Sequence, residues 1–209
     1  MTVKFMKAFP RSGLFRWLRP PALRLARDNR GSAAVEFSVI VPLMLVMFFG
    51  TIEFSSAVAV NRKLSLVAQG LADLVSRYTT VTDTDITNFF TIGNAMLSPY
   101  SSTILKTTIT EVYIDPTTGV ARAQWSKGAA PRSNGSTVAV PADLIAKDTS
   151  SKIIANQYLI FTETSYLYTP TIGYVMGIAG VPLSDKTYMR PRLASCVLYN
   201  TTTGNCPTS

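Results

Sequence analysis

The sequence predicts an α+β protein in which a long N-terminal transmembrane helix continues into an amphipathic helix and a small antiparallel-sheet head follows. Three observations support this prediction. The run from residue 32 to about residue 60 contains only two charged residues, Glu36 and Glu53. Two later stretches repeat apolar residues at helical spacing, and the rest of the chain contains runs of strand-forming residues. We therefore expect one membrane helix that carries a folded head.

The net charge of +8 is concentrated in front of the apolar run. Residues 1–30 contain eight basic residues and one acid, so almost all of the net positive charge lies in the expected leader, residues 1–31. A protein that binds nucleic acid spreads its basic residues over a folded face, so nucleic acid is not an expected partner. Basic residues before a membrane helix indicate a cytoplasmic N-terminus. The leader is expected either to form a short amphipathic helix on anionic lipid or to be disordered.

The apolar run, residues 32–60, is expected to form the membrane helix. No charged residue occurs between Phe37 and Ile52, and about 20 helical residues cross the hydrocarbon core. A secretory signal peptide is the alternative, but its apolar part is only about 7–15 residues long and ends at a small-residue cleavage site. Pro42 is expected to bend the helix, because proline removes an intrahelical hydrogen bond.

An amphipathic helix over residues 61–77 is expected to continue the membrane helix directly. Its apolar residues fall on one stripe at helical spacing. The stripe consists of Leu64, Val67, Ala68, Leu71, Leu74 and Val75.

Residues 78–209 are expected to form the α+β head. Residues 79–85 are rich in helix-capping types, and the apolar spacing behind them predicts a second amphipathic helix that ends near Pro99. A β-hairpin is predicted over residues 104–125, because two strand-forming runs flank a turn at residues 115–119.

The second half of the head is expected to consist of a loop, a short helical turn and further strands. Residues 126–140 have loop composition, and residues 141–145 follow as a helical turn. Residues 157–169 are predicted to form a strand, because their side chains fall into two alternating sets, as on the two faces of a strand. Another strand is predicted over residues 184–190. The apolar stretch 172–181 is too short to cross a bilayer as a helix, so it is expected to pack in a core or an interface.

The sequence offers little for catalysis. It contains no histidine, which excludes Ser-His and Cys-His nucleophilic pairs and histidine-based metal sites. The carboxylates of the head are scattered, so nothing brings two of them together for acid–base work. We therefore expect no enzyme activity, cofactor or metal. Cys196 and Cys206 lie close together on the side of the membrane that should be oxidising, which predicts a disulfide between them.

The most informative motif is RGSAAVEF, residues 30–37, where the basic leader meets the apolar run. An ionisable group at the edge of a membrane helix is costly and usually has a partner. In one interpretation, Glu36 is an interfacial carboxylate that snorkels beside the basic leader. In the other, the chain is cut after Gly31, so that Ser32 becomes a free N-terminal ammonium. Glu36 would then be the fifth residue of the mature chain and would pair with such an amine.

Residues 30–54 closely resemble the TadE-like (TadE/TadG) pseudopilins of the tight-adherence branch of type IV pili. The matching features are Arg30-Gly31, the pair Glu36-Phe37, Pro42 within the apolar run, and Ile52-Glu53-Phe54. In that family a prepilin peptidase, which is a membrane aspartic protease, cuts after the glycine. The Glu-aromatic pair is part of the processing signature. The head resembles the family only loosely, so the resemblance implies no ligand for it.

The resemblance implies a structural role as a minor pilin or pseudopilin in the assembly of tight-adherence (Flp-type) pili. The processing site would be Gly31 and Ser32, and Glu36, Phe37, Pro42 and Glu53 would form an assembly or processing motif. The protein would cross the bacterial inner membrane once, with a periplasmic head, or enter a surface pilus. Its partners would be the inner membrane, the prepilin peptidase, other pilins and pilus assembly proteins. The alternatives are an unprocessed, signal-anchored periplasmic binding or adhesive domain and, third, an enzyme.

Overall fold

A computed structural model describes residues 30–170, 180–201 and 206. The basic leader lies outside these residues, and so does most of the apolar stretch 172–181. Internal contacts divide the chain into two units, residues 1–50 and residues 51–209.

The α+β class is confirmed, and apart from the two-residue strand Thr80–Val81 the described elements follow the predicted order of two helices and then strands. The elements are α1 (Arg30–Ser76), β1 (Thr80–Val81), α2 (Asp83–Met96), β2 (Lys106–Ile114), β3 (Ala121–Gly128), β4 (Thr137–Val138), a 3₁₀ turn (Ala142–Leu144), β5 (Gln157–Tyr168), β6 (Val181–Met189) and β7 (Leu198–Tyr199).

Helix α1 is one continuous helix of 47 residues, with Pro42 inside it. Large apolar side chains between residues 35 and 54 are 42–72% exposed. The C-terminal part instead buries one stripe against the head, as the amphipathic spacing predicts. This buried stripe consists of Val60, Leu64, Val67, Ala68, Leu71, Ala72 and Val75.

Helix α2 begins with a capping box formed by Thr82 and Asp85. The Asp85 backbone N–H donates to Thr82 Oγ1 at 3.2 Å, and the Thr82 backbone N–H donates to Asp85 Oδ2 at 2.9 Å. These bonds satisfy N–H groups that have no partner inside the helix. The helix packs its buried residues Ile86 and Phe89 into the same core as the α1 stripe. Both helices therefore cover one face of the sheet.

The sheet has five antiparallel strands in the order β4-β3-β2-β5-β6. Strands β2 and β5 are central and pair over their whole shared length. Alternate residues point to opposite faces, so Ile109 and Ile160 join the helix-side core whereas Val112 and Phe161 join a second core. Apolar side chains from the segment between β4 and β5 pack against this second core: Val140, Leu144, Ile145 and Ile153.

Three details of the head differ from the sequence prediction. Strand β6 begins at Val181 rather than Ser184, because pairing with β5 continues to the Val181–Tyr168 pair. Pro182 is tolerated there, since an edge strand has N–H groups that need no ladder partner. The predicted loop 126–140 contains the end of β3 and the two-residue strand β4. The parallel pairing of β1 with β7 was not predicted either, since two-residue strands carry no readable alternation.

Candidate functional site

The sequence motif at the start of α1 brings Ser32 and Glu36 together. Ser32 Oγ donates to Glu36 Oε1 at 3.1 Å, and both residues are exposed. Residues four positions apart lie one helical turn apart on the same face, which explains the contact. The backbone nitrogen of Ser32 is therefore also about one turn from Glu36.

Gly31 lies in the first turn of α1, and no packing contact explains why it is a glycine. A Cβ built at this position would meet no atom within 4 Å. Glycine within a helix costs roughly 1 kcal/mol relative to alanine. Within the described part of the chain, no packing contact offsets that cost.

Phe37 and Pro42 lie on the exposed apolar part of α1. The Phe37 side chain is 69% exposed, and Pro42 is exposed as well. A soluble protein rarely presents so continuous an apolar surface to water. Among the described helices, α1 is long and apolar enough to cross a membrane. These two residues therefore lie on a surface that is suited to lipid or to another helix.

Glu53 lies later in the same helix and makes a different contact from Glu36. It is half-buried, and Tyr168 Oη donates to Glu53 Oε2 at 2.8 Å. Tyr168 is the last residue of β5. The sequence prediction placed Glu53 in an assembly or processing motif, and the structure gives it a partner in the head. The sequence hinted at Tyr168 only through the alternating tyrosines of β5, which do not indicate a contact with Glu53.

The sequence reasoning missed Glu111, which is fully buried on the central strand β2. The Val197 backbone N–H donates to Glu111 Oε1 at 2.5 Å, and Trp125 Nε1 donates to the Val197 carbonyl at 2.8 Å. Burial raises the pKa of Glu111 to about 7, although hydrogen bonds from Val197 and Trp125 act in the opposite direction. A single carboxylate inside the strand ITEVYI was the available signal.

The segment around Cys196 and β7 is held beside the Glu111 carboxylate by a disulfide and by strand pairing. Cys196 and Cys206 form a disulfide, and Cys196 is buried in contact with Tyr113 and Tyr158. Two residues later, β7 pairs with β1. Glu111 and the disulfide thus hold neighbouring residues of the same segment, which indicates a structural role for both.

The described residues of the head line open grooves, among them one of about 440 Å³ and one of about 300 Å³. Asp83 and Lys127 line the first, and Arg132, Glu163 and Lys186 line the second. Hydrogen bonds from Tyr199 and Asn200 hold the pKa of Asp83 below its usual value. Within the described residues no three His, Cys, Asp or Glu side chains come together as a metal site.

Residues 31–73 match the family model for TadE-like proteins. This segment is TadE-like. The predicted resemblance over residues 30–54 is therefore confirmed. No curated protein and no solved structure matches the chain. The TadE-like segment is almost all of α1, and it includes each motif residue from Gly31 to Glu53.

The TadE-like match supports a role in the tight-adherence pilus system. The apolar helix α1 is compatible with a single-pass membrane anchor.

Proposed function

We propose that the protein is a minor pilin or pseudopilin that a prepilin peptidase cuts after Gly31 and that takes part in the assembly of tight-adherence (Flp-type) pili. The observation that carries this proposal is the TadE-like match, which begins at the glycine where the basic leader meets the helix. In this proposal residues 1–31 are a cytoplasmic leader and residues 32–60 the membrane helix. Residues 61–77 are an amphipathic extension, and residues 78–209 are a periplasmic head.

The proposed cut creates a positive charge close to Glu36. Hydrolysis of the Gly31–Ser32 bond leaves a carboxylate on Gly31 and an ammonium on Ser32. The contact between Ser32 and Glu36 supports this step, because an ammonium on Ser32 would lie about one turn from the carboxylate. A carboxylate in the first turns of a helix is also stabilised by the helix dipole. The ammonium that pairs with Glu36 belongs to the same chain or to a neighbouring subunit.

Removal of the leader also changes how strongly the chain is held at the membrane. The leader contains eight basic residues, and the mature chain would keep almost none of the net positive charge. Each basic residue near an anionic membrane surface contributes on the order of 1 kcal/mol of attraction. Cleavage therefore removes a substantial barrier to moving the helix from the bilayer into a filament.

The test compares Gly31→Arg with the matched control Gly31→Ala, each produced together with the prepilin peptidase of the tight-adherence system. Because a Cβ at position 31 meets no atom within 4 Å, the alanine control leaves the packing of the described residues unchanged. We expect the alanine variant to be processed and the arginine variant to keep its leader, as measured by mass spectrometry.

Equal processing of both variants would contradict the proposed role of Gly31. An intact wild-type chain would count against the pseudopilin and favour the unprocessed, signal-anchored periplasmic domain.

A further inference from the structure

The connected strands β5 and β6 end beside the turn of α1 that contains Glu53. Tyr168, the last residue of β5, donates its hydroxyl hydrogen to Glu53 Oε2 at 2.8 Å. Its partner across the sheet is Val181, the first residue of β6. One corner of the head is therefore fixed at the level of Glu53.

This corner exposes apolar side chains from both the sheet and the helix. Leu167 is 48% exposed and Val181 44%, whereas Ile52 and Phe54 on the helix are 46% and 72% exposed. The described strand ends are also uncharged, since the first charged residue of β6 is Asp185. The strand ends and the helix turn therefore present apolar side chains on both faces of the sheet end and on the adjoining helix turn. We call this set the apolar corner: Ile52, Phe54, Leu167, Tyr168 and Val181.

The length of the apolar run places Glu53 inside the outer boundary of a bilayer. The uncharged part of the helix begins at Phe37, and a hydrocarbon core about 30 Å thick takes about 20 helical residues. Counted from Phe37, the core extends to about Ser56, beyond Glu53. A carboxylate at this depth needs a hydrogen-bond donor, and Tyr168 supplies one.

We propose that the apolar corner of the head inserts into the outer leaflet at the lipid–water interface, so that the head contacts the membrane directly as well as through its helix. Tyrosine is suited to this position, because its ring is apolar and its hydroxyl is polar. The occupant of the surface is lipid, since the corner lies at the depth where the helix itself still faces hydrocarbon. The proposal rests on the membrane anchoring of residues 32–60 in the proposed function.

The test places tryptophan in the full-length chain, reconstituted into phosphatidylcholine vesicles that contain brominated lipids, which quench tryptophan fluorescence on contact. The reporter variants are Leu167→Trp and Val181→Trp, measured against the wild-type signal of the two native tryptophans. The matched control is Leu193→Trp, at a leucine that is 69% exposed. Leu193 follows Arg192, whose backbone N–H donates to the Ser76 carbonyl. Ser76 is about 35 Å beyond Glu53 along the helix at about 1.5 Å per residue.

We expect at least twofold stronger quenching of the added tryptophan at positions 167 and 181 than at position 193. Quenching at 167 and 181 that equals quenching at 193 would overturn the proposal. A further variant, Leu45→Trp, separates this result from a failure of the anchor. Strong quenching at 45 together with none at 167 and 181 refutes the apolar corner alone, whereas no quenching at 45 refutes the anchoring and this proposal with it.

Discussion

Replacing Glu111 with glutamine should remove a pH dependence from the stability of the head. The Glu111 carboxyl is fully buried, and its pKa rises from 4.5 to about 7 in the folded protein. The folded state therefore favours the protonated form. Its contribution to the free energy of unfolding is fully present below about pH 4.5 and is lost as the pH rises through about 7. Between about pH 5 and about pH 8 the free energy of unfolding falls by roughly 2–3 kcal/mol on this account of Glu111.

Glutamine has nearly the same shape as glutamate and keeps an oxygen that can accept from the Val197 N–H. Glutamine cannot ionise in this range, so the free energy of unfolding of Glu111→Gln should not fall as the pH rises. The variant should therefore be more stable than the wild type at about pH 8. The assay is urea denaturation of the full chain in nonionic micelles, followed by circular dichroism at several pH values. Circular dichroism is preferable to fluorescence here, because Trp125 contacts the same group.

Asp115→Asn provides the control for this experiment. Hydrogen bonds from Thr118 and Thr117 lower the pKa of Asp115 below 3.8, so this group titrates below the range tested. Its curve of unfolding free energy against pH should run parallel to that of the wild type. Parallel curves for the wild type and Glu111→Gln would refute the assigned role of Glu111.

Two further substitutions test the packing of the head, each by the same urea denaturation. Gly128→Ala should prevent stable folding, because its Cβ would lie 2.1 Å from the Thr107 carbonyl oxygen at a φ of +137°. The control Gly135→Ala, at a φ of +77° and with open space around the Cβ, should lower the free energy of unfolding by only about 1 kcal/mol. Equal decreases for the two variants would contradict this reasoning. Cys206→Ser should lower the free energy of unfolding by about 2–3 kcal/mol, because it opens a loop of about ten residues. An unchanged value would mean that the tail is held without the disulfide.

Local patterns predicted much of this fold. The uncharged run from Phe37 to Ile52 and the spacing from Leu64 to Val75 identified α1, because helical burial repeats within a few residues. The hairpin over residues 104–125 was equally readable, since a turn joins its two strands. In each case the residues that interact are neighbours in the sequence.

Contacts between distant segments could not be predicted. The Tyr168–Glu53 and Val197–Glu111 hydrogen bonds join residues that only the folded chain brings together. No periodicity within one segment specifies such a partner. For the same reason the sequence identified Glu53 as a motif residue without its hydrogen-bond donor, and it gave Glu111 no role.

A cut between Gly31 and Ser32 is the step that distinguishes the proposed pseudopilin from an unprocessed, anchored protein. Intact-mass measurement of the wild-type protein, extracted from membranes of cells that contain the tight-adherence system, tests it most directly. We expect a chain that begins at Ser32 and has lost the whole basic leader. A membrane-extracted chain that still begins at Met1 would contradict it.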